Sequence, residues 1–302
     1  MKKFIILVLI LIFFISGCEG TNRGSGSPNG LEIKFIPNFP PSTVFEGDKI
    51  SVGLELANYA ECSANGVICI KQLLSNAGGI QEECKPLNLA PISFENKRTT
   101  IDKQKMYFTE SNAYTGLSRI QQETSISATA VYKCNIITGS EKICAMPVTT
   151  ESEEPCPIYE SISGNQLGAL SAPVTVTKVE KFLSPSEGGV KLRAAITLKK
   201  MSKGRVIGEG ALQNPFKLEE KESVVNIQVE YGGYGNMECK DERGPIENMI
   251  KWKSTEPEKI INCEILLNIN DLTINPINVR MDYVYKITES KPITIRKSSQ
   301  NA

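Results

Sequence analysis

The 302-residue sequence contains no histidine. That absence removes Ser-His-Asp and Cys-His machinery, imidazole metal sites and histidine proton transfer. An all-carboxylate glycosidase or a Ser-Lys hydrolase survives it, yet neither leaves a recognisable motif. Net charge is missing too. The chain carries 34 Lys plus Arg against 34 Asp plus Glu, so it has no electrostatic reason to bind nucleic acid. No phosphate-cradling glycine loop, dinucleotide fingerprint or zinc-type cysteine spacing occurs, and no cofactor or metal is implied. Helical periodicity is scarce; residues 114–123 are the one place where a short helix fits.

The N-terminus is informative. Lys2 and Lys3 precede Phe4 to Ile15, an unbroken run of Phe, Ile, Leu and Val. It is shorter than the roughly 18–20 residues that span a bilayer and has the layout of a secretory signal. Ile15-Ser16-Gly17-Cys18 resembles a lipobox, the processing site of prokaryotic lipoproteins. That resemblance implies cleavage before Cys18, a lipid on its sulfur and attachment to the membrane through that lipid. An ordinary secretory signal and an uncleaved anchor are the alternatives. All three place the body outside the cytoplasm, and the first makes it a lipid-anchored cell-surface protein. Residues 19–30, rich in Gly, Ser, Asn and Pro, read as a flexible linker.

The rest of the chain alternates with a period of two. Val52, Leu54 and Leu56 share one face, as do Val190, Leu192, Ala194, Ile196 and Leu198. Val225, Ile227 and Val229, and then Val279, Met281, Tyr283 and Tyr285, repeat the pattern. Such alternation denotes strands with one buried face. The chain also looks duplicated. Lys34-Phe35-Ile36 is matched by Lys181-Phe182-Leu183, and Val131-Tyr132-Lys133 by Val284-Tyr285-Lys286. Tyr132 follows Phe35 by 97 positions and Tyr285 follows Phe182 by 103, as a repeat requires.

The expected fold is therefore all-β, with two tandem β-sandwich domains after the signal peptide and linker. The expected divisions are 1–17 signal peptide, 18–30 lipidated Cys18 and linker, 31–168 first sandwich, 171–292 second sandwich and 293–302 disordered tail. Residues 171–292 are expected to fold alone. Glu46-Gly47-Asp48, followed by Val52, Leu54, Leu56 and Asn58, resembles CARDB-like and related immunoglobulin-like modules of prokaryotic, including archaeal, surface lipoproteins. The resemblance covers most of residues 31–292. It implies adhesion, spacing or binding of a surface or envelope protein, without catalysis, and a cysteine-rich insertion in the first half. Two other functions compete: a transporter's solute-binding lipoprotein, which would need helices between its strands, and an exported carboxylate-based hydrolase.

Eight cysteines remain after Cys18, an even number that favours disulfides in an exported protein. Asn65-Gly66 reads as a two-residue hairpin turn that would set Cys62 opposite Cys69. Thr138-Gly139-Ser140 reads as a second turn, setting Cys134 opposite Cys144. Cys84 and Cys156 then pair by elimination, and Cys239 pairs with Cys263. Among other candidates, Glu151 to Glu154 could hold calcium but reads as a solvated loop. Tyr231 to Gly235 reads as a tight hairpin with packed tyrosines, with a binding loop as the alternative. Trp252 reads as core, with a carbohydrate platform as the alternative. Tyr132 and Tyr285 read as caps on equivalent strands.

Overall fold

The computed structural model describes residues 29–72, 78–95, 98–111, 114–147, 155–168, 171–216 and 222–298. The expected leader, Cys18, most of the linker and the acidic run Glu151 to Glu154 lie outside the described residues. In chain order the first half contains β1 (Leu31–Phe35), β2 (Thr43–Phe45), β3 (Ile50–Asn58), β4 (Ala64–Gln72), β5 (Glu83–Leu89), β6 (Ser93–Glu95), β7 (Arg98–Thr100), β8 (Asp102–Ser111), β9 (Gln121–Ala145) and β10 (Tyr159–Ser163). The second contains β11 (Val174–Ser186), β12 (Gly189–Lys200), β13 (Arg205–Ile207), β14 (Glu222–Tyr231), β15 (Gly235–Asn236), β16 (Glu238–Asp241), β17 (Gly244–Ile246), β18 (Met249–Lys253), β19 (Glu258–Leu267) and β20 (Thr273–Arg296). Helix among the described residues is confined to two short 3₁₀ turns, Gly164–Gln166 and Glu209–Leu212. The chain is nearly all β, with several antiparallel sheets. No helix forms within 114–123: Tyr114 bridges to Gly78, residues 118–120 bend, and Gln121 begins β9.

The alternating residues make the core. The five alternating apolar residues of β12, Val190, Leu192, Ala194, Ile196 and Leu198, are buried, as are Val225, Ile227 and Val229 of β14 and the four named residues of β20. Trp252 is buried, and its indole N–H donates to the Glu256 carbonyl at 2.9 Å. Tyr231 is buried, stacks on Tyr234 at 5.5 Å and pairs with Gly235, which makes the segment a hairpin. Asn58 is buried but fully engaged. Its amide donates to the Cys62 and Ala90 carbonyls at 2.9 and 2.8 Å, and its oxygen accepts from the Ala60 N–H. It thereby locks the turn between β3 and β4.

The sheets run through the expected boundary near 168–171. β9 and β20 pair antiparallel from Gln121↔Arg296 to Ala145↔Thr273, inside the nine-stranded sheet. Tyr132 lies opposite Tyr285, with Val131 opposite Lys286 and Lys133 opposite Val284. The two copies of Val-Tyr-Lys thus face each other head to tail about a local twofold. The flanking strands obey the same relation. Gly66 of β4 meets Tyr132 as Val206 of β13 meets Tyr285, and Ile70 meets Ala128 as Ile227 of β14 meets Met281. β10 also crosses the boundary, pairing with β11. β20 continues past residue 292, and Ile293 and Ile295 are buried, so the strand reaches into the expected tail.

All eight cysteines are paired, but three of the four expected pairs are replaced. The disulfides are Cys62–Cys134, Cys69–Cys84, Cys144–Cys156 and, as expected, Cys239–Cys263. The reason lies in two glycines. Asn65-Gly66 sits inside β4 and Gly139 inside β9, not in turns. A Cβ on Gly66 would meet the Val131 carbonyl oxygen at 2.0 Å, and one on Gly139 the Ile277 carbonyl oxygen at 2.0 Å. These glycines admit a neighbouring backbone, the second use of glycine within strands. With no turns at those places, Cys69 turns to Cys84 across the β4–β5 ladder and Cys134 is left for Cys62. Four disulfides fit an oxidising, extracytoplasmic environment.

Candidate functional site

The six-stranded sheet runs β10-β11-β12-β19-β16-β17. Two cross-strand ranks on its outer face form a groove of about 730 Å³. In the first rank Tyr159 pairs with Phe182, then come Arg193, Glu264 and Glu238. In the second Glu180 is followed by Ala195, Asn262, Lys240 and Pro245. Period-two pleating puts both ranks on one face and the rank between them on the other. The small Ala195 lowers the floor. Tyr159 and Phe182, 58% and 43% exposed, wall one side, and the β16–β17 hairpin walls the other.

The groove's charges are organised in pairs. Glu180 accepts from the Tyr159 hydroxyl at 2.8 Å and from Lys178 at 2.8 Å. Glu264 binds Lys191 at 3.3 Å and Arg193 at 3.4 Å. The Lys178 ammonium and the Tyr159 hydroxyl hold the Glu180 carboxyl below its ordinary range. Lys191, above all, does the same to Glu264. A proton-donating carboxyl needs the opposite shift, through burial or a like charge. What the arrangement offers is a contoured face with two exposed rings, an amide and fixed ion pairs.

The rank beneath the floor faces inward and is unusual. It reads Glu160, Lys181, Ala194, Cys263, Cys239 and Ile246. The Lys181 side chain is fully buried. Its Nζ binds Glu160 Oε2 at 3.2 Å, the Cys144 carbonyl at 3.2 Å and the sulfurs of Cys144 and Cys156 at 3.1 and 3.5 Å. Burial pulls the Lys181 ammonium down from its ordinary range, against the opposing pull of Glu160.

None of the groove residues stands out as a site in the sequence. The signal was the phase of β11: Val179, Lys181 and Leu183 point inward, which turns Phe182 out among charges. The eight body cysteines serve as disulfides, while Cys18 lies outside the described residues. Among the described residues, no three His, Cys, Asp or Glu side chains converge as a metal site. No protein-family model matches the chain, and no curated protein is significantly similar to it.

Proposed function

We propose that this is a lipid-anchored cell-surface recognition protein. Two immunoglobulin-like β-sandwich halves, joined edge to edge through β9 and β20, are held at the membrane by a lipid on Cys18. The groove of the six-stranded sheet binds a surface or envelope protein without chemistry. The observation that carries this reading is the groove itself. Exposed Tyr159 and Phe182 beside fixed ion pairs have the make-up of a protein-binding hot spot with a polar rim. The disulfides and the nearly all-β body support it over a two-lobed solute receptor, and the lowered carboxyl groups of Glu180 and Glu264 support it over a carboxylate hydrolase.

The test uses a soluble form of residues 19–302 and intact envelopes of the source cell. Tyr159→Ala with Phe182→Ala is expected to weaken saturable binding by at least about tenfold, the effect of roughly 1.4 kcal/mol. Val224→Ala with Met249→Ala removes exposed apolar groups on another sheet and is expected to leave binding unchanged. Equal binding by the wild type and the groove variant would place recognition elsewhere.

A further inference from the structure

A fully buried lysine touching both sulfurs of a disulfide is not required for packing. A buried ammonium is costly to desolvate, and an apolar side chain would fill the rank beside Ala194. Lys181 instead spends two of its contacts on the sulfurs of Cys144 and Cys156, at 3.1 and 3.5 Å, while Glu160 and the Cys144 carbonyl hold the ammonium in place. Uncharged sulfur is a weak acceptor. A thiolate at the same place is a full counter-charge.

We infer that Cys144–Cys156 is a thiol–disulfide exchange site, with Lys181 as the group that receives the departing thiolate and an exported thiol or dithiol as co-substrate. The other three disulfides have no such cation on their sulfurs among the contacts of the described residues. Cys144 is half-buried while Cys156 is buried, so attack falls on Cys144. The thiolate of the dithiol forms a bond to Cys144 Sγ. The Cys144–Cys156 bond breaks, and its electron pair leaves on Cys156 Sγ, 3.5 Å from the Lys181 ammonium. The second thiol of the reagent, deprotonated, then attacks the reagent sulfur of the mixed disulfide. Cys144 leaves as a thiolate 3.1 Å from Lys181. The dithiol has lost two electrons and two protons and become a disulfide, and the two cysteines have gained the electrons. One proton returns to a cysteine sulfur and the other enters solvent, which leaves one thiolate paired with Lys181. A neighbouring cation speeds departure of a thiolate and favours the reduced pair.

The test is timed exchange of the folded full-length protein with millimolar dithiothreitol, followed by alkylation and peptide mapping of each cysteine. Cys69–Cys84 is the internal reference, because Cys84 is exposed and has no adjoining ammonium among its described contacts. In the wild type, Cys144–Cys156 is expected to open while the protein remains folded by near-ultraviolet circular dichroism. Lys181→Met, and separately Lys181→Gln, should slow its opening about tenfold relative to Cys69–Cys84. The reduced wild type should also show a thiol at Cys144 or Cys156 that alkylates as a thiolate below the ordinary cysteine range of about 8.5. If both variants fail to fold, the alkylation profile of the reduced wild type decides alone. A Cys144–Cys156 pair that opens only with global unfolding overturns the inference. So do folded variants with an unchanged ratio, and so does a reduced pair with ordinary thiols.

Discussion

Lys259 and Asp241 show how far a single residue departs from its pattern. On β19 the alternation puts Lys259 inside with Ile261 and Cys263 and turns Ile260 out. Asp241 answers it at 3.2 Å, and Asp241 also accepts the Arg243 N–H at 2.8 Å. Burial pushes the Asp241 carboxyl up, but the Arg243 N–H and the Lys259 ammonium outweigh it, and the group lies below its ordinary range. A carboxyl depressed in the folded state stabilises above its unfolded pKa, and that stabilisation is lost as pH falls through the folded value. Asp241→Asn is therefore expected to cost about 1.5–3 kcal/mol at pH 7, read by denaturant unfolding. The gap between variant and wild type should close toward about pH 2. A gap that stays constant with pH would show that the pair contributes no charge-dependent stability.

Individual strands were largely legible, because alternation states both the element and its buried face. β12, β14 and β20 bury the residues that the period-two pattern assigns to the core, and Trp252 follows the same rule. Cys239 and Cys263 face each other across β16 and β19. What alternation cannot express is why a glycine is present. Gly66 and Gly139 carry the letters of a hairpin turn and the task of admitting a neighbouring backbone, and the mistaken turns displaced three disulfides. The groove was illegible for a related reason. Arg193, Glu264 and Glu180 are ordinary outward charges of a half-buried strand until the register lines them up.

The β9–β20 ladder makes a prediction about a fragment. Residues 171–298 keep β11 to β20 but lose the partner of β20 along its whole length. An unpaired edge is a template for pairing, and β20 already meets a second Val-Tyr-Lys about Tyr132 and Tyr285. The fragment is expected to form a dimer through two antiparallel copies of β20, measured by sedimentation equilibrium. A fragment that stays monomeric at all concentrations would mean that β20 needs no edge partner.

At the scale of the whole molecule, the proposed function joins a lipid on Cys18, residues 19–30 and the body into one device. On that proposal, a flexible linker of about twelve residues would span roughly 20 Å on average, enough to hold the body clear of lipid headgroups. The four disulfides stiffen that body against an extracytoplasmic setting, and the groove lies on a sheet that both halves complete, since β10 comes from the first half and β11, β12, β19, β16 and β17 from the second. The most direct test of this arrangement is the intact mass of the protein extracted from its own membranes. Expected is a polypeptide that begins at Cys18, carries lipid there and has its eight remaining cysteines oxidised in four pairs. A chain that retains Met1, or that begins at Cys18 with a free, unmodified thiol, would contradict it.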